Sequence, residues 1–435
     1  MEKQETIPSK NKRRKCKVLP DDVLMDIFSR LPLKTLSNSK WVCKNWYVLV
    51  RHPLLAQLHF ARNPLLPCPL FHSQHQDRES YLIDPEHFVN HENSATAYHL
   101  QLKDVKNFFG TRYLEVVGTV NGLVCFSPYR YAYQPLPYYI CNPITRDYLI
   151  PPTSPMVDYR PLGNGFGFDS LHNEYKVIRI LRESCWKTTG DMAAEVFTLG
   201  SDSWREITTN VPFINFMEPC NVLVNGCLHW VAYVGNHVGK RAILSFNVET
   251  EQFDVIQMPT KEGSYSDSYD LMVLGGHLCV MINNGLGNRE IQVMKDYGVH
   301  SSWAKKFVLE PKAVNLFFSW GQMIELKNGE ILFISNSGEL GYYYHQTKIF
   351  SIVKIFIIKG GPVKADLSSP IFLTGSLFSP NNVGYYRRAE DKPFLTHRAI
   401  FSWNFTWSVT KGDITFAAFA NQLKLLIFFF NVTCI

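Results

Sequence analysis

Four features of this 435-residue chain have residue types and spacing that invite chemistry. The run Gly163-Asn164-Gly165-Phe166-Gly167-Phe168 has the glycine density of a phosphate-cradling loop, but Phe168 stands where a dinucleotide loop needs its third glycine. His87 and His91 are four apart, yet Phe88, Val89 and Asn90 between them supply no glutamate for a zinc protease. They read as an exposed pair in a polar segment. His229 beside Trp230 has the makeup of a site, but it sits inside a repeated unit and reads as a packed turn. Ten cysteines scatter from Cys16 to Cys434 with no Cys-x-x-Cys and no Cys/His zinc spacing. Neither a P-loop nor a Gly-x-Ser-x-Gly elbow occurs. The expectation is therefore no catalytic residue, no metal and no cofactor.

Composition narrows the classes further. With 46% hydrophobic and 19% charged residues the chain is globular, long enough for one large domain and one small one. Nearly all of the net charge of +6 comes from the first 18 residues, where Lys3, Lys10, Lys12, Arg13, Arg14, Lys15 and Lys17 face Glu2 and Glu5. Residues 1–17 read as a disordered basic tail, with nuclear import as its functional alternative. The rest is close to neutral, which implies no basic face for nucleic acid. Cys125, Cys227 and Cys279 lie in apolar runs and read as reduced core thiols of an intracellular protein. The basic start lacks the apolar stretch of a signal peptide. The apolar run Leu425 to Phe430 is far shorter than the about 20 residues a membrane span needs. The expected location is cytoplasmic, nuclear or both.

Two kinds of element would position whatever this chain binds. From Leu19, the sequence Leu19-Pro20-Asp21-Asp22 opens a helix, with proline at its start and two acids on its positive end. Val23, Leu24, Ile27, Phe28 and Leu31 follow at helical spacing until Pro32 stops it. A second short helix follows, then a third carrying Trp46 and Leu49, ended before Pro53. Three helices over residues 18–60 bury their own apolar faces poorly and are expected to lean on a partner.

Residues 61–95 read as a linker, broken by Pro64, Pro67 and Pro69 and a polar run from His72 to Arg78. After that the chain is mostly β. Two-residue turns between apolar runs occur at Asn121-Gly122, Asn225-Gly226, Gly275-Gly276 and Asn328-Gly329. Their spacing is about 50 residues, except for a first interval twice as long, so one turn signal is missing. Polar turns entering aromatic or aliphatic strands alternate with them, beginning at Thr145, Ser203, Thr250, Ser302 and Thr347. Five such units predict a kelch-like β-propeller over residues 96–380, rather than a twisted β-sandwich. The glycine turns would join inner strands and the polar turns the outer pair. Five or six blades fit, the sixth drawn from residues 96–118 and 363–378 at opposite ends. Residues 381–435 lose the pattern and read as a divergent tail. Within that tail, Leu423 to Ile435 competes as a last strand.

The helical segment resembles an F-box: Leu19-Pro20-Asp21-Asp22, an apolar helix, Leu31-Pro32, and Val42-Cys43-Lys44-Asn45-Trp46. The β region resembles the F-box-associated, kelch-related domain of plant F-box proteins. The matching runs include Gly118-Thr119-Val120-Asn121-Gly122-Leu123, Cys141-Asn142-Pro143, Gly165-Phe166-Gly167-Phe168-Asp169 and Asn225-Gly226-Cys227-Leu228-His229-Trp230. The resemblance implies the substrate-recognition subunit of an SCF-type ubiquitin ligase, with no catalysis of its own. A Skp-type adaptor, and a cullin through it, would be held by Leu19, Pro20, Leu24, Ile27, Phe28, Leu31, Pro32, Leu36, Val42, Cys43 and Trp46. Ser39 stands where the family carries a large apolar residue, which implies weaker docking. An unidentified target would dock on propeller loops, and tyrosine enrichment favours Tyr129, Tyr131, Tyr133, Tyr138 and Tyr139. The alternative is a propeller enzyme or small-molecule binder with a vestigial F-box.

Overall fold

Proline punctuates the N-terminal helices. Pro20 and Pro32, both extended (ψ 149° and 142°), precede α1 (Asp21–Phe28) and α2 (Leu33–Ser39). Next come α3 (Lys44–Val50) and α4 (Pro53–Arg62). The computed structural model describes residues 19–382 except 64–66, 74–79, 84–93, 101, 103–113, 129–136, 157–158, 184–191, 208–210, 213, 218–221, 235–240, 260–267, 284–288, 310–321, 327–328, 335–339, 345, 358–360 and 363–366. The basic tail, the His87/His91 pair and nearly all of the C-terminal tail thus lie outside the described residues.

The unit has four helices, where the sequence suggested three. Pro53 does end α3, but it also occupies the first position of α4, where a missing N–H costs nothing. His52 caps that helix, its Nδ1 accepting from the Leu54 amide at 3.2 Å. Leu24, Phe28, Leu36, Leu49, Leu55 and Ala56 are buried between the helices, and the Phe28 ring meets Trp46 edge-on at 4.8 Å. Each large apolar side chain so buried contributes about 1.5–3 kcal/mol.

Residues from Cys68 onward form a six-bladed β-propeller. Blade 1 runs from Leu114–Val120 to Asp147–Leu149 and blade 2 from Tyr159–Asp169 to Arg205–Glu206. In blade 3, Val222–Val224 and Ile214–Met217 both pair with Cys227–Val234, and Phe253–Ile256 is outermost. Blade 4 spans Ser268–Leu274 to Trp303–Leu309, and blade 5 spans Gln322–Glu325 to Ile349–Ile357. Inner strands are joined by the expected glycine turns: Gly122, Gly226, Gly276 and Gly329 all have positive φ. The missing turn lies between Asp169 and Glu174, where Asn173 takes φ 54° without a glycine. The polar turns join the outer strands, with Arg146, Glu251 and Lys348 left-handed.

Blade 6 corrects the linker assignment. Cys68–Ser73, Ser80–Ile83 and Ser94–Leu100 supply its three outer strands, and Leu367–Leu373 its innermost one. The ring therefore closes with strands from both ends of the domain. The C-terminal contribution is as expected, but the N-terminal one is residues 68–100 rather than 96–118. Leu114–Val120 belongs instead to blade 1. The outermost strands of blades 5 and 6 also pair in parallel, Lys354 against Ser94 through Ile357 against Ala97. The closing strand is Leu367–Leu373, so the described ring needs no strand from Leu423 to Ile435.

The core lies between neighbouring blades. Ile178 and Val196 of blade 2 meet Leu228, Trp230 and Phe246 of blade 3, and Leu332 and Tyr342 of blade 5 meet Phe71 and Tyr81 of blade 6. The glycine run Gly163 to Phe168 lies on the inner strand of blade 2, and its role is packing. A Cβ at Gly165 would come within 2.7 Å of Leu228 and 2.8 Å of Trp230. Polar bonds fasten the closure. Ser376 Oγ donates to the Asn121 carbonyl at 2.6 Å, and Asn142 Nδ2 to those of Ser376 and Phe378 at 2.9 and 2.7 Å. A side chain at Gly122 would collide with Ser376.

A buried ion cluster joins blades 2 and 3. Lys176 Nζ lies 2.9 Å from Asp169 Oδ2, 3.2 Å from Glu251 Oε1 and 3.0 Å from the Val248 carbonyl. Burial raises the Asp169 pKa, but hydrogen bonds from the His172 amide, Lys176 and the His172 ring outweigh it and hold the carboxyl below its ordinary range.

Candidate functional site

The first α-helix carries two apolar stripes. Leu24 and Phe28 point into the helical unit, whereas Val23 and Ile27, each one residue earlier, remain 40% and 38% exposed. An apolar arc this wide serves two neighbours, and the described helices supply one. Leu19, Trp41, Tyr47 and Val48 are exposed too, Trp41 by 77% and Val48 by 62%. Six large apolar side chains on this small unit are thus exposed.

This divides the residues assigned to adaptor contact. Leu19, Pro20, Ile27 and Pro32 are exposed, and Leu31, Val42, Cys43 and Trp46 are partly so. Leu24, Phe28 and Leu36 are buried at 6%, 2% and 0% exposure and belong to the interior of the unit. Val23, Tyr47 and Val48 join the exposed set. The signal for Val23 was the helical arc itself.

Ser39 is fully buried, and its hydroxyl donates to the Thr35 carbonyl at 2.9 Å. Serine bonded one turn back in this way needs no second partner. A phenylalanine there would overpack the unit, a change that typically costs about 1–3 kcal/mol. The departure from the family pattern is thus absorbed inside the helical unit, away from its surface.

A charged seam ties α1 to α4. Asp26 lies 3.2 Å from Arg30 and 2.6 Å from Arg62. Burial pushes its carboxyl up, but the hydrogen bonds from both arginines prevail and lower its pKa. His59 is wholly buried, and Nε2 meets the Leu31 carbonyl at 2.9 Å. Burial holds this imidazole below its usual range despite that bond.

On the propeller, Tyr138 and Tyr139 are core residues and cannot meet a target. Tyr138 is 5% exposed, donates to Asn164 Oδ1 at 2.6 Å and packs on Trp204. Tyr139 is 1% exposed and stacks on Tyr148 at 5.4 Å. Tyr129, Tyr131 and Tyr133 lie outside the described residues. Trp204 and Trp303, each following the serine of a polar turn, are equivalent in blades 2 and 4. Their indoles donate to the carbonyls of Pro152 (2.7 Å) and Gln257 (3.2 Å), each just beyond the last strand of the preceding blade. His229 is buried in a strand rather than a turn, with Nε2 2.8 Å from Tyr297 Oη, and burial pushes it down to about 4. Cys125, Cys141, Cys227 and Cys279 are all buried free thiols, with Cys279 pushed up to about 11 by burial.

Asp270, on the inner strand of blade 4, is a half-buried carboxyl that desolvation pushes up to about 6, partly offset by Arg289. The folded state then holds this proton more tightly than the unfolded chain does, so ionisation above pH 6 opposes folding. Asp270→Asn should therefore raise the melting temperature at pH 7.5, by the equivalent of up to about 3 kcal/mol. The gain should shrink as pH falls from about 6 and disappear near pH 4. Thermal melts of both proteins across that range check it, and a pH-independent difference would refute it.

Comparison with known proteins agrees with this geometry. Residues 68–362 match the model of the F-box associated beta propeller domain, and residues 16–61 match an F-box-like model. The chain is 31% identical to the Arabidopsis thaliana F-box protein At3g07870 over 310 residues, 66% of this chain and 72% of that protein. It is 25% identical to the Arabidopsis thaliana F-box protein CPR1 over 412 residues, 86% of this chain and 93% of that one. Among solved structures, the Penicillium chrysogenum alpha-L-arabinanase is 10% identical, with a TM-score of 0.40 over 61% of this chain and 93% of its own.

Proposed function

Because this chain belongs to the F-box proteins that carry an F-box-associated β-propeller domain, we propose that it is the substrate-recognition subunit of an SCF-type ubiquitin ligase, active in the cytoplasm, the nucleus or both. The helical unit holds a Skp-type adaptor and, through it, a cullin. The propeller holds a protein to be ubiquitinated. The chain itself does no chemistry; it raises the effective concentration of target lysines near the transferring subunits.

The exposed apolar set on the helical unit carries this reading. Leu19, Val23, Ile27, Trp41, Tyr47 and Val48 are left uncovered on a unit whose own interior is already filled by Leu24, Phe28 and Leu36. Leu19 and Pro20 are both exposed, so replacing them removes contact area and leaves that interior intact. Leu19→Ala with Pro20→Ala should cut capture of a purified Skp-type adaptor at least about tenfold, the effect of losing about 1.4 kcal/mol at an interface anchor. Circular dichroism melts should stay unchanged. Undiminished capture by the folded variant would overturn the assignment.

A further inference from the structure

Blades 3 and 4 part at their outer ends and leave a cavity of about 540 Å³. That is the size of a ligand pocket rather than a packing gap. One wall is the outermost strand of blade 3, Phe253 to Gln257; the other is the Tyr297 to His300 segment of blade 4. The floor is fixed. Tyr297 Oη lies 2.8 Å from the ring of His229, which is itself fully buried, and Ser245 Oγ donates to the Asp254 carbonyl at 3.3 Å. Burial raises the Tyr297 pKa, so the phenol stays neutral and serves as a hydrogen-bonding and ring surface.

The charge of the lining selects its occupant. Asp254 is exposed at the rim, and its Oδ1 accepts the Val255 amide at 2.7 Å. It forms no ion pair among the described residues, whereas nearby Glu251 is taken by Lys176 and Arg205. Among the described residues, no lysine or arginine lines the cavity. A carboxylate beside the Tyr297 ring, with hydrogen-bonding groups behind, suits a cation on an apolar stem. Guanidinium and ammonium groups bind carboxylates and lie well over aromatic faces.

We propose that the cavity between blades 3 and 4 binds an arginine or lysine side chain of a peptide segment in the target protein. The proposal deepens the reading of the propeller as a target receptor and rests on it. The flanking peptide would lie along the exposed side of Asp254 and Val255. Because Asp254 faces water, binding should weaken as salt rises.

The test uses the purified full chain and fluorescein-labelled, acetylated and amidated hexapeptide pools, each with one fixed residue, followed by anisotropy. Pools fixed as arginine or lysine should bind more tightly than pools fixed as citrulline or glutamate. Asp254→Asn should weaken the arginine pool about tenfold, as expected for losing a hydrogen bond to a charged group. Tyr297→Phe, which keeps the ring, should weaken it less. Equal binding of arginine and citrulline pools, or an Asp254→Asn protein with unchanged preference, would overturn the site. Adaptor capture by the same protein is a separate readout. Capture without arginine preference refutes the cavity alone, and arginine preference without capture refutes the ligase reading alone.

Discussion

Ending the chain after Pro362 should destroy the propeller as a soluble fold, whereas ending it after Asn382 should leave its melting temperature within about 2 °C of the full chain. The first truncation deletes Leu367–Leu373, the innermost strand of blade 6, and leaves Cys68–Ser73 without its neighbour. It also removes the bonds from Thr119 to the Phe372 carbonyl, from Asn142 to Ser376 and Phe378, and from Ser376 to Asn121. Leu70, Val124 and Phe126 would lose Ile371 and Leu373 from their shared core. The truncated ring leaves the inner edge of Cys68–Ser73 unpaired, and such edges aggregate. The second truncation keeps every one of these contacts, including that of Asn381 Nδ2 with the Tyr148 carbonyl at 3.2 Å. Soluble yield and calorimetry on both chains test the boundary. A cooperative melt after truncation at Pro362, or a loss of many degrees after truncation at Asn382, would show that the ring is closed by other residues.

Lys176→Met should cost about 3–5 kcal/mol, out of proportion to one salt bridge. The Asp169 side chain is fully buried and Lys176 nearly so, so removing the ammonium leaves a carboxylate in low dielectric with only His172 and two backbone amides for support. Glu251 keeps Arg205 at 2.7 Å, which places the damage at Asp169. The double change Lys176→Met with Asp169→Asn should then recover much of the loss, because it removes both charges. Denaturant melts of the two single variants and the double variant decide it. Additive losses would mean that the two residues act independently and that the buried charge is not the cause.

Local signals in the sequence carried much of this structure. The Leu-Pro pairs mark helix starts because proline fixes the backbone and lacks a donor, both of which suit a first turn. Asn-Gly and Gly-Gly turns mark inner hairpins because few other pairs accept positive φ. Where the chemistry departed from these rules, the reading failed. Asn173 makes the same turn with Leu171 and His172 before it, so blade 2 was not marked by a glycine. Residues 61–95 read as a connector because the innermost partner of their strands is about 300 residues away and their prolines suggest loops. Pro69 in fact lies in a strand, opposite Phe372. Residue type alone favours Tyr138 and Tyr139 as contacts, yet their burial depends on Asn164, Trp204 and Tyr148 arriving from elsewhere in the chain. The helical arc of α1 shows both of its apolar stripes, but Val23 and Leu24 are equally apolar, and only packing decides which of them faces inward.

Ring closure by the two ends of the domain also sets a clock on biosynthesis. Three strands of blade 6 leave the ribosome early, but the strand that covers Cys68–Ser73 begins only at Leu367. At typical elongation rates of about 5–20 residues per second, that edge waits roughly 15–60 s for its partner. Throughout that interval the nascent chain displays a pairing-competent β edge with Phe71 beside it, a ready client for chaperones. Destabilising changes in blade 6 should therefore lower cellular yield more than equal changes in blade 3, whose strands are all made within a few seconds of one another.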